Sequence, residues 1–168
     1  MENPISFQQS GRWANVREYY LWVSAVTLIL AGVSKTIGLQ TPAAFLSNPN
    51  VLFSFISNKH FILGASFVEI SVGTLLIASV FGLASRTKML FWVGSLFAIY
   101  RSILVLSKEP EPCRCFGQIF DWFHLDDSTV NFITTGAFLF LWIPSGLWVI
   151  FDFYTASKNR VAAHLLCK

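Results

Sequence analysis

Charge is what this sequence has least of: Asp, Glu, Lys and Arg make up 12% of its 168 residues, against roughly 25% in an average soluble domain. A water-soluble fold of this size leaves much of its surface exposed, and so few charges cannot cover it. The net charge of +3 is spread along the chain. With no basic run and no aromatic–basic alternation, nucleic-acid binding has no support. Haem, flavin and dinucleotide motifs are also absent, as are internal repeats and any stretch long enough for a separate soluble domain. There are only three cysteines.

What is present is apolar. Hydrophobic residues make up 54% of the chain, with 17 Phe and 6 Trp, so lipid is the solvent this composition implies. Four apolar runs, 19–39, 61–85, 89–107 and 128–151, each approach or exceed the ~20 residues that cross a ~30 Å hydrocarbon core. The expected fold is an all-α, integral membrane four-helix bundle forming a single transmembrane domain over 1–168. The segment 1–17, with Arg12 and Arg17 before the first run, resembles the start of a signal peptide. A secretory core, however, is ~7–15 residues long and ends at a small-residue cleavage site. Here Ala31-Gly32-Val33-Ser34 leads straight into Lys35, which predicts a retained first helix.

Orientation follows from Lys and Arg. Arg12, Arg17, Arg86, Lys88, Lys158, Arg160 and Lys168 fall on one side, which makes both termini cytoplasmic. Arg86-Thr87-Lys88 is read as the tight turn between the second and third helices. The long loops 40–60 and 108–127 then face outward. The first, with Phe45, Leu46, Leu52, Phe53, Phe55 and Ile56, suits a short interfacial helix. In the second, Trp122, Phe123 and His124 suit the headgroup level.

The chemistry-bearing motif is Pro112-Cys113-Arg114-Cys115-Phe116-Gly117 in the second loop. A pair at i and i+2 closes a disulfide if its Cα atoms approach within ~4.4–6.8 Å. Strained, exposed disulfides are the labile or catalytic ones, and an extracytoplasmic loop is where disulfides persist. Arg114 between the thiols favours thiolate. A structural staple is the weaker reading, because so short a ring removes little chain entropy. A metal site is not expected, since two thiolates need further ligands and only His60 and His124 could help. Cys167, in the tail, reads as an inert thiol.

Four polar residues lie inside the expected spans, all in the outer half beneath the cysteine loop. Glu69 is ~12 Å deep, Arg101 ~9 Å and Lys35 ~6 Å, at 1.5 Å per residue, and Asn131 enters the fourth run at a shallow level. Intramembrane ionisable groups are functional candidates. Glu69 is too short to reach the interface, so it needs a cation, with Lys35 and Arg101 as the two choices. One reading is a buried ion pair that fixes helix packing. In the other, these cations stabilise a thiolate on Cys113 or Cys115, or Glu69 relays the proton released on oxidation.

At these positions the sequence resembles a known family. Ala31-Gly32-Val33-Ser34-Lys35 closes the first helix, Glu69 and Gly73 sit in the second, Cys113-Arg114-Cys115-Phe116-Gly117 follows the third, and Asn131 opens the fourth. In that order they look like the DoxX-like membrane proteins, specifically the methylamine-utilisation protein MauE branch, over nearly the whole chain. The resemblance implies thiol–disulfide exchange outside the cytoplasm, in the bacterial cytoplasmic (inner) membrane. It also implies a thioredoxin-like periplasmic partner and a role in maturing periplasmic enzymes. Arg114 departs from the Gly common at the middle position, adding charge and reducing backbone freedom.

The leading expectation is therefore a membrane thiol–disulfide redox protein that uses the Cys-x-Cys pair to support oxidation or maturation of a periplasmic partner, with a thiol–disulfide oxidoreductase as the enzyme class it would fall in. Its redox-active disulfide is the only cofactor-like group evident, and electrons leave through another protein or a quinone that the sequence does not identify. The alternative is a non-catalytic accessory or assembly subunit of a larger membrane complex. For that role Ala78/Gly82 and Gly94/Ala98 offer small-residue faces at four-residue spacing.

Overall fold

The computed structural model describes residues 4–40, 47, 50, 55–106 and 126–166. They form four α-helices: α1 (Pro4–Gly38), α2 (Asn58–Ala78), α3 (Leu83–Leu106) and α4 (Asp127–Leu166). The described residues contain no extended strand, so the fold is all-α. Three segments, Trp13–Gly38, Asn58–Ala78 and Ser128–Lys158, are long and apolar enough to cross a membrane, which makes this a multi-pass membrane protein. At 24 residues α3 is ~36 Å long, enough to match the same thickness.

The helices begin and end differently from the hydropathy boundaries. α1 starts at Pro4, where proline's fixed φ and missing N–H suit the first helical position. α4 has 40 residues, ~60 Å at the helical rise, about twice the hydrocarbon thickness. It continues past 151 because the tail, although charged, is rich in Ala, Lys, Arg and Leu and offers no Gly or Pro stop until the chain ends.

The turn predicted at Arg86-Thr87-Lys88 is corrected. α2 ends at Ala78, with Ser79 left-handed at φ 52°, and α3 has begun by Leu83. Arg86 and Thr87 are buried within its first turns. The real break, 79–82, contains Val80 and Phe81, both exposed. A turn built of apolar residues is invisible to hydropathy, which drew the second run through it. The same boundary removes the Ala78/Gly82 face: Ala78 is the last residue of α2 and Gly82 lies in the connection.

The chain divides into two compact units, one built on α1 and α2, the other on α3 and α4. In the first, the buried positions of α1 include Arg17, Leu21, Ser24, Leu28, Ala31 and Lys35. They alternate steps of four and three, the seam of a packed helix. On α2 the buried set is Ser66, Glu69, Gly73 and Leu76. Lipid tails are as apolar as leucine, so this seam is held by close packing rather than by hydrophobic burial, and small residues mark it. A Cβ on Gly32 would lie 2.9 Å from the Ser66 carbonyl oxygen, and one on Gly73 would lie 2.9 Å from the Ala25 carbonyl oxygen. Each glycine thus admits the other helix's backbone, and the two contacts run in opposite chain directions, as an antiparallel pair requires.

In the second unit α3 and α4 are likewise antiparallel: Gly146 meets the Phe91 ring, and Gly94 lies under Trp142. Trp142 donates its indole N–H to Ser95 Oγ at 3.1 Å and stacks on Phe138 with centroids 5.9 Å apart. α4 is one continuous helix through Pro144, and Ser145 Oγ returns its proton to the Leu141 carbonyl at 2.6 Å.

Candidate functional site

The close crossing of α1 and α2 places two opposite charges in contact. Lys35 lies one turn beyond Gly32 on the same face of α1, and Glu69 lies one turn before Gly73 on the seam of α2. Lys35 Nζ donates to Glu69 Oε1, and the two side chains are only 7% and 3% exposed. The nearby hydroxyls are spent on their own helices. Ser34 Oγ donates to the Ala31 carbonyl at 3.3 Å and Ser66 Oγ to the Ile62 carbonyl at 2.8 Å. Glu69 Oε2 is buried with no hydrogen-bond partner among the described residues.

Such a pair exists only because both charges are present. Removing either one leaves an uncompensated charge in a medium that cannot solvate it. Chemically, such a contact allows a proton to pass between the two groups. Transfer of one proton from the ammonium to the carboxylate turns an ion pair into a neutral pair with no change of net charge. The unpartnered Oε2 leaves one oxygen free to accept a further proton or donor.

The α3–α4 unit holds a second polar cluster. Arg101 Nη2 donates to Asn131 Oδ1 and, at 2.9 Å, to Thr135 Oγ1. Asn131 and Thr135 sit one turn apart on α4, and Thr135 gives its own proton to the Asn131 carbonyl at 2.7 Å. A turn earlier, Asp126 caps α4. Its carboxylate accepts from the Thr129 N–H at 3.1 Å, from Thr129 Oγ1 at 2.6 Å and from Ser128 Oγ. This is the N-cap arrangement in which a side-chain oxygen satisfies an orphan helix donor. Three donors to the charged form, Ser128 foremost, hold the Asp126 pKa down at about 2. At the start of α2, Ser57 Oγ is 2.7 Å from His60 Nδ1, which ties the cap residue to the first turn.

Of the residues singled out in the sequence, the structure joins Lys35 to Glu69 and Arg101 to Asn131. Glu69 had two candidate cations, and its partner is Lys35; Arg101 is held by neutral oxygens instead. Cys113, Arg114 and Cys115 lie outside the described residues. So do Cys167, Trp122, Phe123, His124 and most of the first outer loop, including Phe45, Leu46, Leu52 and Phe53. Sequence reading missed Thr135, although an Asn four residues before a Thr in an uncharged helix was the available signal. It also missed that Gly32 and Gly73 are reciprocal contacts, which no linear pattern reveals.

A family model described as methylamine utilisation protein MauE matches residues 15–152. No curated protein and no solved structure matches the chain. The matched range runs from the first half of α1 into α4 and includes Lys35, Glu69, Arg101 and Asn131, together with the Cys-Arg-Cys sequence.

Proposed function

This chain belongs to the methylamine utilisation protein MauE family, and on that premise we propose that it is a membrane thiol–disulfide oxidoreductase using Cys113 and Cys115. The supporting observation is the Lys35–Glu69 pair, buried within two segments apolar enough to span a membrane, in a chain whose second outer loop carries Cys-x-Cys. Retaining two ionised groups at such depth is costly and marks function by default.

In the proposed reaction, a partner thiolate attacks the Cys113–Cys115 disulfide, forming a mixed disulfide and releasing the other sulfur as thiolate. A second partner thiolate then displaces the mixed disulfide. The partner leaves with a new disulfide, and Cys113 and Cys115 are left as a dithiol that has gained two electrons and two protons. Those electrons pass to another protein or to a quinone. Arg114 favours the thiolate form, and the Lys35–Glu69 couple is the proton-handling group of the same side.

The substrate class is a thioredoxin-like or other cysteine-bearing periplasmic protein, and the family's description assigns the setting to methylamine utilisation. All four helices cross the bacterial inner membrane, with both termini cytoplasmic and the cysteine loop periplasmic.

The test is labelling of intact cells with a membrane-impermeant maleimide, with and without prior reduction. Cys113 and Cys115 should be protected before reduction and labelled after it, and Cys113→Ser/Cys115→Ser should abolish exchange with the partner. Permanently reduced thiols, or exchange that is unchanged in the double variant, would reject the redox role and leave that of a non-catalytic accessory subunit of a larger complex.

A further inference from the structure

Arg101 carries a charge that nothing among the described residues neutralises. Its two hydrogen-bond partners, Asn131 Oδ1 and Thr135 Oγ1, are both neutral and both engage the same nitrogen, Nη2. The other terminal nitrogen, Nη1, is shielded and has no acceptor. Lys35 presents the opposite case, its charge answered by Glu69. A cation that is half-satisfied and unanswered among the described residues calls for an anion beside it.

The surroundings specify what kind of anion. Arg101 lies five residues before the end of α3, ~7.5 Å along the axis, within reach of the headgroup layer for a long side chain. Asn131 is exposed, and its amide N–H groups make no bond among the described residues. The flanking side chains are apolar and open: Leu106 is 80% exposed and Phe132 79%, with Ile99 also exposed. A polar fork opening onto apolar surface suits an amphiphile better than a soluble ion, because the same molecule must satisfy both. Guanidinium matches phosphate oxygens in geometry as well as charge.

We propose that Arg101, Asn131 and Thr135 form a headgroup site for an anionic phospholipid, whose phosphate accepts from the part of the guanidinium that is left open and from the Asn131 amide. Thr135, accepting from Nη2, holds the guanidinium in place. The site lies wholly on α3 and α4 and does not depend on the redox reading.

The test is native mass spectrometry of the full chain purified in detergent and titrated with phosphatidylglycerol, phosphatidylcholine or inorganic phosphate. Phosphatidylglycerol should bind about tenfold more tightly than phosphatidylcholine, the scale of one charge-assisted hydrogen bond, and Arg101→Gln should erase that preference. Should Arg101→Gln fail to fold, Arg101→Lys decides: it keeps the charge but loses the fork, so the preference should fall while the protein still inserts. Undiminished preference in either variant overturns the site. Displacement of phosphatidylglycerol by millimolar inorganic phosphate also overturns it, by showing a soluble-anion site. The Cys113→Ser/Cys115→Ser variant should retain the preference in full, which separates this proposal from the fate of the cysteines.

Discussion

Replacing Gly32 with alanine probes the contact on which the buried ion pair depends. The added methyl would sit 2.9 Å from the Ser66 carbonyl oxygen and 2.7 Å from Ile70 Cγ1. The isoleucine can rotate, but the carbonyl belongs to the backbone of α2. The helices must therefore separate by roughly half an ångström to restore ordinary contact, a shift of the overpacking kind that costs about 1–3 kcal/mol. Alanine also gains about 0.8–1 kcal/mol of helix propensity over glycine, so the net loss is smaller than the clash alone. Gly64 separates the two effects, since a Cβ there meets nothing within 4 Å and Gly64→Ala receives only the gain. The two variants should thus differ by about 1–3 kcal/mol, roughly 5- to 140-fold in the unfolding equilibrium, with Gly32→Ala the less stable. Gly73→Ala should behave like Gly32→Ala, because its Cβ meets the Ala25 carbonyl oxygen at the same 2.9 Å. The assay is reversible unfolding in mixed micelles by an anionic detergent, followed by tryptophan fluorescence. If Gly32→Ala proves as stable as Gly64→Ala, the close backbone approach is not what sets this seam.

Two further outcomes follow from the charges. Lys35→Met should destabilise by about 3–5 kcal/mol, because it strands a buried carboxylate. The double variant Lys35→Met/Glu69→Leu should recover most of that loss, since no charge remains buried; the same unfolding titration reads both, and a double variant no better than the single would contradict the pairing. Asp126 has its pKa depressed from 3.8 to about 2, so its cap is fully formed above the ordinary aspartate range and is lost as pH falls through about 2. Thermal melts between pH 5 and pH 2 should lose stability with acid in the wild type and show a flatter profile in Asp126→Asn, which can still cap without titrating. An identical slope in both would remove Asp126 from the cause.

Much of this protein is legible in one dimension because a membrane imposes one-dimensional rules. A segment that crosses lipid must satisfy its backbone internally, so apolar length alone announces helices at 19–39, 61–85 and 128–151. The need of Glu69 for a cation is equally local: a short carboxylate at that depth cannot reach water. Where the rule is not about lipid, the sequence is silent. The break at Ser79 passes unnoticed because its turn residues are as apolar as the helices, and α4 outruns its hydropathy because helix propensity continues after hydrophobicity stops.

The amino-acid order by itself thus determined an all-helical membrane protein, its Cys-x-Cys loop and the polar residues that do not belong in lipid. Only the tertiary structure decided how those polar residues are shared. Glu69 could have taken either Lys35 or Arg101 on grounds of charge. Gly32 and Gly73 let α1 and α2 approach until a backbone oxygen fills the space where a side chain would stand, and that approach brings Lys35 to the carboxylate. Arg101, on a different helix pair, is left with Asn131 and Thr135. Charge says that a partner is needed, but the packing of small residues says which one can reach.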